Sequence, residues 1–283
     1  MPELQVSVVL PYYLELTEGD YQTAQFGEVV QVIAALLQDE TVPRTSVRAH
    51  FKPEDSTALE EIESRRVQCA KQLLRRINRL LRWYRSVSRR ANITELTRAQ
   101  VSPFKFEALE TTPLAEWIEP LEYEAAGPQP AAHTLEQTTR SVRDGLASGM
   151  DPDVADLFLL DAERALHQGR FRETVLFCWS TIDSVFNRRF DDLVDVALAG
   201  EWGEGRDFFK GLDFKLRYKM SAGMYLFAKR SLFREPGELW QPLSASYTRR
   251  NAIIHRGENA TEDDATQAID VARRIVQIMR EVQ

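Results

Sequence analysis

Apolar residues recur at helical spacing through much of the chain, most regularly in its first third. From about Thr57 to Arg90 there is no proline or glycine, and apolar positions alternate spacings of three and four. This pattern predicts a long amphipathic helix with one apolar seam. The seam consists of Val67, Ala70, Leu74, Ile77, Leu81 and Tyr84.

The other face of this predicted helix is strongly basic. Residues 65–90 contain ten Lys or Arg and no acid, so the i,i+4 ion pairs that usually relieve such a face are missing. Two interpretations stay open. The face is either solvated or paired with acids elsewhere in the fold, or it binds a phosphate backbone or an acidic partner. The cations form a stripe of Lys71, Arg75, Arg79, Arg82, Arg85 and Arg89.

The chain before this helix is less regular. Alternating residues at 6–10 predict a short strand, and residues 47–51 are compatible with another. Residues 28–38 (EVVQVIAALLQ) are apolar enough for a core helix or a buried strand, and periodicity alone does not choose. We therefore expect an N-terminal mixed α/β region over residues 1–135. The Ala/Pro-rich segment 125–132 is the predicted linker and domain boundary.

The second domain, residues 136–283, is predicted to be helical throughout. Asp151 should cap a helix with Pro152 at its first position, and the glycines around residues 200–211 should make a loose connection. The helix starting at Arg170 is apolar around most of its circumference and should be the most buried. Helices are expected at 152–168, 170–189, 214–229 and 238–254, with a last one capped by Thr261 and Asp264.

Composition narrows the class of protein. The hydrophobic fraction of 43% and charged fraction of 28% are those of a globular protein. A net charge of -7 gives no whole-chain case for nucleic-acid binding. No signal peptide or membrane span is apparent. Cys69 and Cys178 lie in apolar-periodic stretches, so we expect buried thiols in a reducing compartment, and cytoplasmic localisation.

The densest group of chemically active residues lies at 247–257 (YTRRNAIIHRG). It contains the three cations Arg249, Arg250 and Arg256, the amide Asn251, and His255. Residues five apart on an unbroken helix diverge by about 140° around its axis. We therefore expect the helix to end near His255, where the chain can turn and let Arg250 and His255 converge on one small anion.

Such a pair suits phosphoryl transfer. Histidine titrates near neutrality and can accept or give a proton. Arginine stays charged and binds phosphate oxygens through two parallel hydrogen bonds, which stabilises a phosphorane-like transition state. The remaining histidines are scattered without metal-ligand spacing. We therefore expect no metal and no cofactor.

These residues carry a family resemblance. Residues 250–255 (RNAIIH) match the signature of an arginine, a polar residue, three variable residues and a histidine that is typical of the HEPN superfamily. Members include prokaryotic toxin–antitoxin, abortive-infection and CRISPR-associated ribonucleases. Residues 161–175 (DAERALHQGRFRETV) resemble the first two helices of such domains, which are joined at a glycine. The resemblance covers about residues 150–281.

The resemblance implies metal-independent RNA cleavage, in which the RNA 2′-hydroxyl attacks the adjacent phosphate. Arg250 and His255 would be the active pair, and Asn251 would orient them or the phosphate. A homodimer would bring two such pairs to one composite cleft. Asp183 would hold Arg250 or Asn251, where many relatives carry glutamate. Arg249 and Arg256 would be supporting cations.

We therefore expect a mainly α protein with a C-terminal HEPN-like helical bundle and an N-terminal mixed α/β region containing one long basic amphipathic helix. It would be an endoribonuclease of a prokaryotic defence or toxin–antitoxin system that cuts tRNA or mRNA, with an antitoxin or another defence protein as a further partner. The RNA would be gripped by Arg75, Arg79, Arg82, Arg85 and Arg89.

A second interpretation has no catalysis. In it the chain is a HEPN-like adaptor that binds RNA or protein, and the 250–255 cluster is a ligand pocket or a structural cap. The two interpretations differ in geometry. Catalysis needs an exposed His255 in a cleft beside Arg250, whereas a cap needs His255 against the last helix carbonyls.

Overall fold

A computed structural model describes residues 4–22, 29–35, 44–51, 59–101, 104–108, 134–199, 203–211, 218–234 and 238–282. The chain divides into two compact units, Met1–Pro152 and Asp153–Gln283. The predicted linker at 125–132 lies outside the described residues. The observed division comes after the predicted boundary at 135/136.

The N-terminal unit contains an antiparallel sheet with strand order β2-β3-β4-β1-β5. Its alternating valines explain the strands, since β-branched residues favour a pleated surface with one buried face. The strands predicted at 6–10 and 47–51 are confirmed within β1 and β4, and residues 28–38, left open above, contain strand β3. The strands are β1 Leu4–Val9, β2 Gly19–Gln22, β3 Val29–Ala35, β4 Arg44–Phe51 and β5 Lys105–Ala108.

The long predicted helix is confirmed as α1, Leu59–Ser88. Its seam contributes to the core of the N-terminal unit together with the buried face of the sheet. Tyr84 is fully buried, and its hydroxyl oxygen accepts a hydrogen bond from the Glu15 backbone N–H at 3.2 Å. The fully buried members of the helix include Leu73, Ile77, Leu81 and Tyr84.

Helix α2, Leu135–Ala147, belongs to the N-terminal unit, which is why the division comes later than predicted. Its apolar residues Val142 and Leu146 are buried in the same core as α1 and the sheet. The Thr139 hydroxyl also accepts a hydrogen bond from the Thr17 backbone N–H at 3.0 Å. The sequence pattern at 125–132 marks a change of composition but does not show which unit the following helix joins.

Gly145 of α2 lies directly against the indole of Trp83 in α1. A Cβ built at Gly145 would be 2.7 Å or less from three atoms of that ring. We expect Gly145→Ala to lower the free energy of unfolding of the N-terminal unit by about 1–3 kcal/mol, because overpacking outweighs the helix-propensity gain of alanine. Urea unfolding of Gly145→Ala and of the matched control Ala147→Gly, at an exposed position on α2, would measure this. A Gly145→Ala protein as stable as the wild type would contradict the close approach.

The C-terminal unit is built of helices. They are α3 Val154–His167, α4 Phe171–Ala197, α5 Gly203–Gly211, a π-helical turn Lys219–Gly223, α6 Met224–Ala228, α7 Trp240–Arg256 and α8 Glu262–Glu281. Helix α4 is the central one, as predicted, with eleven buried residues along it. The protein is therefore mainly α-helical with an N-terminal antiparallel sheet.

Local details of the C-terminal unit differ from the sequence prediction. Asp153, not Asp151, caps α3, since its carboxylate accepts the Ala155 backbone N–H at 3.0 Å. The segment with Gly203 and Gly205 begins helix α5 and is not a loose connection. Of the helix predicted at 214–229, residues 214–217 lie outside the described residues, and the rest is mainly the π-helical turn followed by α6. Among the described residues, no helix is long and apolar enough to cross a membrane.

Candidate active site

Helix α7 carries the candidate cluster and is fixed to α4 by one polar and one aromatic contact. The indole Nε1 of Trp179 donates a hydrogen bond to the Ser246 hydroxyl at 2.9 Å, and both residues are buried. The Trp179 and Tyr247 rings lie 5.2 Å apart between centroids. A buried indole N–H that has found its partner holds the helix in one position. Residues 250–255 therefore project from a rigid element.

Helix α7 ends at Arg256, close to the predicted position. Gly257 adopts a left-handed conformation with φ 67°, which glycine accepts without strain. Its N–H donates to the Ile253 carbonyl at 3.1 Å, and the Glu258 N–H donates to the Ala252 carbonyl at 3.4 Å. The first of these is the 5→1 bond of the αL C-cap motif, in which a left-handed glycine follows the helix. The helix thus ends one residue after His255, as expected, and Arg250 and His255 both lie within it.

The side chain of Arg250 is bonded to Asn251, which lies on the helix face that carries His255. The Nη1 group of Arg250 donates a hydrogen bond to the Asn251 side-chain oxygen at 2.9 Å. Asn251 and His255 are four residues apart on the helix and therefore lie on the same face. The guanidinium is thus drawn toward the face that carries His255. This hydrogen bond agrees with the orienting role predicted for Asn251, and the convergence of Arg250 and His255 on one anion stays a prediction.

The His255 side chain is exposed on the last turn of α7. Within the residues that the structure describes, it forms no hydrogen bond or ion pair. The carbonyls of Ala252 and Ile253 are satisfied by backbone N–H groups, so His255 does not cap them. This geometry fits a histidine available to a ligand better than a structural cap.

Asp183 on α4 lies in the electrostatic field of Arg250 without touching it. Burial raises the pKa of Asp183 above its ordinary value, and the positive charge of Arg250 offsets this only in part. In the described structure neither residue forms a hydrogen bond or ion pair with the other. The expected holding contact is therefore absent from the single chain, because the aspartate side chain is short and the guanidinium is turned toward Asn251.

The two other arginines of the cluster are engaged by acids that follow α7. Arg249 lies 3.5 Å from the Glu258 carboxylate and 3.1 Å from that of Asp264. Arg256 donates to Glu258 at 2.6 Å. Arg249 and Arg256 therefore tie the end of α7 to the start of α8, and their role as supporting cations stays a prediction.

Asp264 both pairs with Arg249 and caps the start of α8 together with Thr261. Burial acts to raise its pKa, but hydrogen bonds from Thr261 and Arg249 outweigh burial and leave the pKa below its ordinary value. The stability that Asp264 contributes is therefore complete above its unfolded pKa and is lost as the pH falls through its lower folded pKa. The capping box with Thr261 predicted from the sequence is confirmed.

We expect Asp264→Ala to reduce the free energy of unfolding by about 1 kcal/mol at neutral pH, the usual size of a capping contribution. The difference from the wild type should shrink below about pH 4, where the unfolded carboxyl becomes protonated. Thermal unfolding between neutral and strongly acidic pH would measure it. Asp263→Ala, which removes an exposed acid from the same turn, is the control. Equal losses of stability in Asp264→Ala and Asp263→Ala at all pH values would contradict the bonds of Asp264 to Thr261 and Arg249.

The basic face of α1 is partly used inside the N-terminal unit. The Nη2 group of Arg79 donates to the Gly149 carbonyl at 2.5 Å and lies 3.3 Å from the Met150 carbonyl. Arg82 lies 3.5 Å from the Glu95 carboxylate and 3.4 Å from that of Asp151. These contacts match the interpretation in which the stripe pairs with groups elsewhere in the fold.

The predicted stripe is also discontinuous. Arg85 is only 5% exposed, so its place in an exposed RNA-binding stripe is wrong. The helix rotates this position into the core beside Tyr84. Lys71, Arg75 and Arg89 are exposed. The exposed cations therefore lie toward the two ends of the stripe and do not form one row.

The sequence did not indicate Lys219 as a candidate functional residue. Lys219 begins the π-helical turn and is only 9% exposed. Its signal in the sequence is a single lysine beside a mostly apolar run, residues 220–228 (MSAGMYLFA). That pattern alone does not distinguish a buried ammonium from one that reaches solvent.

Comparison with known proteins adds no relative. No model of a protein family matches the chain, and no curated protein and no solved structure matches it significantly. Among the described residues, no group of three His, Cys, Asp or Glu side chains is placed to hold a metal ion. The functional interpretation of this chain therefore depends on the geometry of residues 250–255 and their neighbours.

Proposed function

We propose that the protein is a metal-independent endoribonuclease of the HEPN type, which acts as a homodimer in a prokaryotic defence or toxin–antitoxin system. The observation that carries this proposal is the arrangement on α7. An arginine is held by the neighbouring amide at 2.9 Å, and an exposed histidine with no partner in the described part of the chain follows on the face of that amide. The RNAIIH motif and the order of helices around it support the same family.

In the proposed reaction His255 takes the proton of an RNA 2′-hydroxyl. The 2′-oxygen then forms a bond to the adjacent phosphorus, and the bond from phosphorus to the 5′-oxygen breaks. The products are a 2′,3′-cyclic phosphate end and a 5′-hydroxyl end. Arg250 uses the donors not bonded to Asn251 to stabilise the negative oxygens of the pentacoordinate transition state.

A second copy of the chain completes the chemistry of this site. One imidazole accepts the 2′-hydroxyl proton, and the imidazolium of the other copy gives a proton to the departing 5′-oxygen. The surface beside His255 suits a contact between copies, because Ile254 is 48% exposed although large and apolar. Exposed Lys71 and Arg75 on α1 are candidates for additional contacts with RNA phosphates.

One observation favours the adaptor as a second candidate. A general base is ordinarily oriented by a third group, and within the described chain His255 has no such partner. In an adaptor the same cluster would bind a phosphate of RNA without cleaving it.

The test is cleavage of labelled tRNA and mRNA in the presence of EDTA, comparing the wild type with the Arg250→Ala/His255→Ala double variant. The proposal expects cleavage that survives EDTA, leaves 2′,3′-cyclic phosphate ends and disappears in the variant. RNA binding without cleavage by the wild-type dimer would favour the adaptor. Cleavage that is equal in the double variant would overturn the proposed pair.

A further inference from the structure

Among the residues that the structure describes, Lys219 is a buried cation without a counter-ion. It is 9% exposed, and its Nζ donates one long hydrogen bond of 3.4 Å to the side-chain oxygen of Asn187. Its other neighbour is the Phe190 ring, whose centroid lies 5.2 Å away. Neither is an anion, and in the described part of the chain Lys219 has no acidic partner. A buried ammonium carries a substantial desolvation cost that these contacts compensate poorly.

The backbone around Lys219 is also unusual. Lys219–Gly223 is a π-helical turn, a rare conformation that often occurs at functional sites. A Cβ at Gly223 would lie 3.0 Å from the Phe190 ring, so the glycine lets the turn sit tightly against α4. This packing directs the lysine toward Asn187.

Lys219 and Arg250 each act on a residue of the same face of α4. Asn187, which binds Lys219, and Asp183, which feels the charge of Arg250, are four residues apart on that helix. They therefore lie on one face, separated by about 6 Å along its axis. Lys219 thus contacts α4 one helical turn from Asp183, whose carboxyl group senses the charge of Arg250.

We propose that Lys219 and Asn187 form a second phosphate-binding subsite, which holds a backbone phosphate of single-stranded RNA next to the one bound by Arg250. The ammonium supplies the charge, and the Asn187 amide supplies a neutral hydrogen-bonding group beside it. The hydrogen bond between them is only partly buried, so an anion reaches it from the surface. The assignment of RNA rests on the proposed function, whereas the anion site rests on the buried charge.

The test measures binding without catalysis. Short single-stranded 2′-deoxy oligonucleotides have no attacking hydroxyl, so their affinity is read by fluorescence anisotropy at several salt concentrations. We expect Lys219→Met to reduce the slope of log affinity against log salt by about 0.7, the value for one phosphate contact to a single strand. Lys229→Met, which removes an exposed lysine of the same segment, is the matched control and should leave the slope nearly unchanged.

Stability provides an independent readout. We expect Lys219→Met to unfold at the same temperature as the wild type or a higher one, because an apolar side chain replaces an uncompensated buried charge. Lys219→Gln, which keeps a donor for Asn187 but removes the charge, is the second variant for binding and should reduce the salt slope in the same way. Equal salt slopes for the Lys219 and Lys229 variants, or a clear loss of stability in Lys219→Met, would overturn the subsite.

The two proposals fail separately. If the wild type does not cleave RNA but Lys219→Met still lowers the salt slope, the anion site stands and the nuclease does not. If the wild type cleaves RNA through Arg250 and His255 while the slopes are equal, the nuclease stands and the subsite is wrong.

Discussion

His255→Ala is expected to lower the rate of RNA cleavage by about 10²–10⁴-fold, the usual contribution of a positioned acid–base group. The imidazole is exposed and, in the described structure, forms no hydrogen bond or ion pair. Its removal should therefore change the free energy of unfolding by less than about 0.5 kcal/mol. A large loss of cleavage with unchanged stability is the pattern of a catalytic group. The measurements are single-turnover cleavage of labelled RNA and thermal unfolding of the same preparations.

His167→Ala is the matched control for this prediction. His167 is also exposed and also lies in the last turn of a helix, α3, so the two changes remove equivalent side chains. We expect His167→Ala to cleave as the wild type does. Comparable losses in both variants would mean that His255 has no special role. A His255→Ala protein that unfolds at a markedly lower temperature would indicate a structural cap, which the exposed side chain of His255 argues against.

Several helical features of this fold were predictable from sequence because their signals are local. The apolar seam of α1 depends on spacing alone. The start of α8 depends on Thr261 and Asp264, whose reciprocal hydrogen bonds are formed within one turn. The end of α7 depends on Gly257, which adopts the left-handed conformation. Each of these features is determined by residues close together in sequence.

Features that depend on distant parts of the chain were not predictable in the same way. The sequence shows Arg85 on a basic helix, but only the packing of α1 shows that it is buried. It shows a composition change at 125–132, but only the packing of α2 into the core, with Gly145 against Trp83, places that helix in the N-terminal unit. Lys219 and Asn187 are far apart in sequence, so their contact follows from the fold alone.

The candidate site combines both kinds of information. The residue types in RNAIIH suggested the chemistry, and the structure shows that Arg250 bonds to Asn251 within this motif. Since helix α7 continues to Arg256, Arg250 and His255 are related through Asn251 and not by a turn of the chain. The other residues predicted to support the site fall into two groups. Arg249 and Arg256 hold the neighbouring segment, and Asp183 acts on Arg250 only through its charge.

The second large effect expected is that of Arg250→Lys, which should reduce cleavage by about 10²–10³-fold, the usual size of the loss when a transition-state donor is removed. The substitution keeps the positive charge near Asp183, so it tests geometry and not charge. A guanidinium can donate to the Asn251 oxygen through Nη1 and still offer a fork of N–H groups to a phosphate. A lysine ammonium is a point charge without that fork.

The neighbouring change Arg249→Lys gives the contrast. Arg249 lies 3.1 Å from Asp264 and 3.5 Å from Glu258, so a less suitable cation there should lower the unfolding temperature while leaving cleavage within a few-fold of the wild type. Arg250→Lys should show the opposite, a lost activity in a protein of unchanged stability, since Arg250 forms no ion pair in the described structure. Comparing the variants of these two adjacent arginines therefore distinguishes a catalytic role from a structural one. If Arg250→Lys cleaves as well as the wild type, the bonded pair of Arg250 and Asn251 does not bind the reacting phosphate.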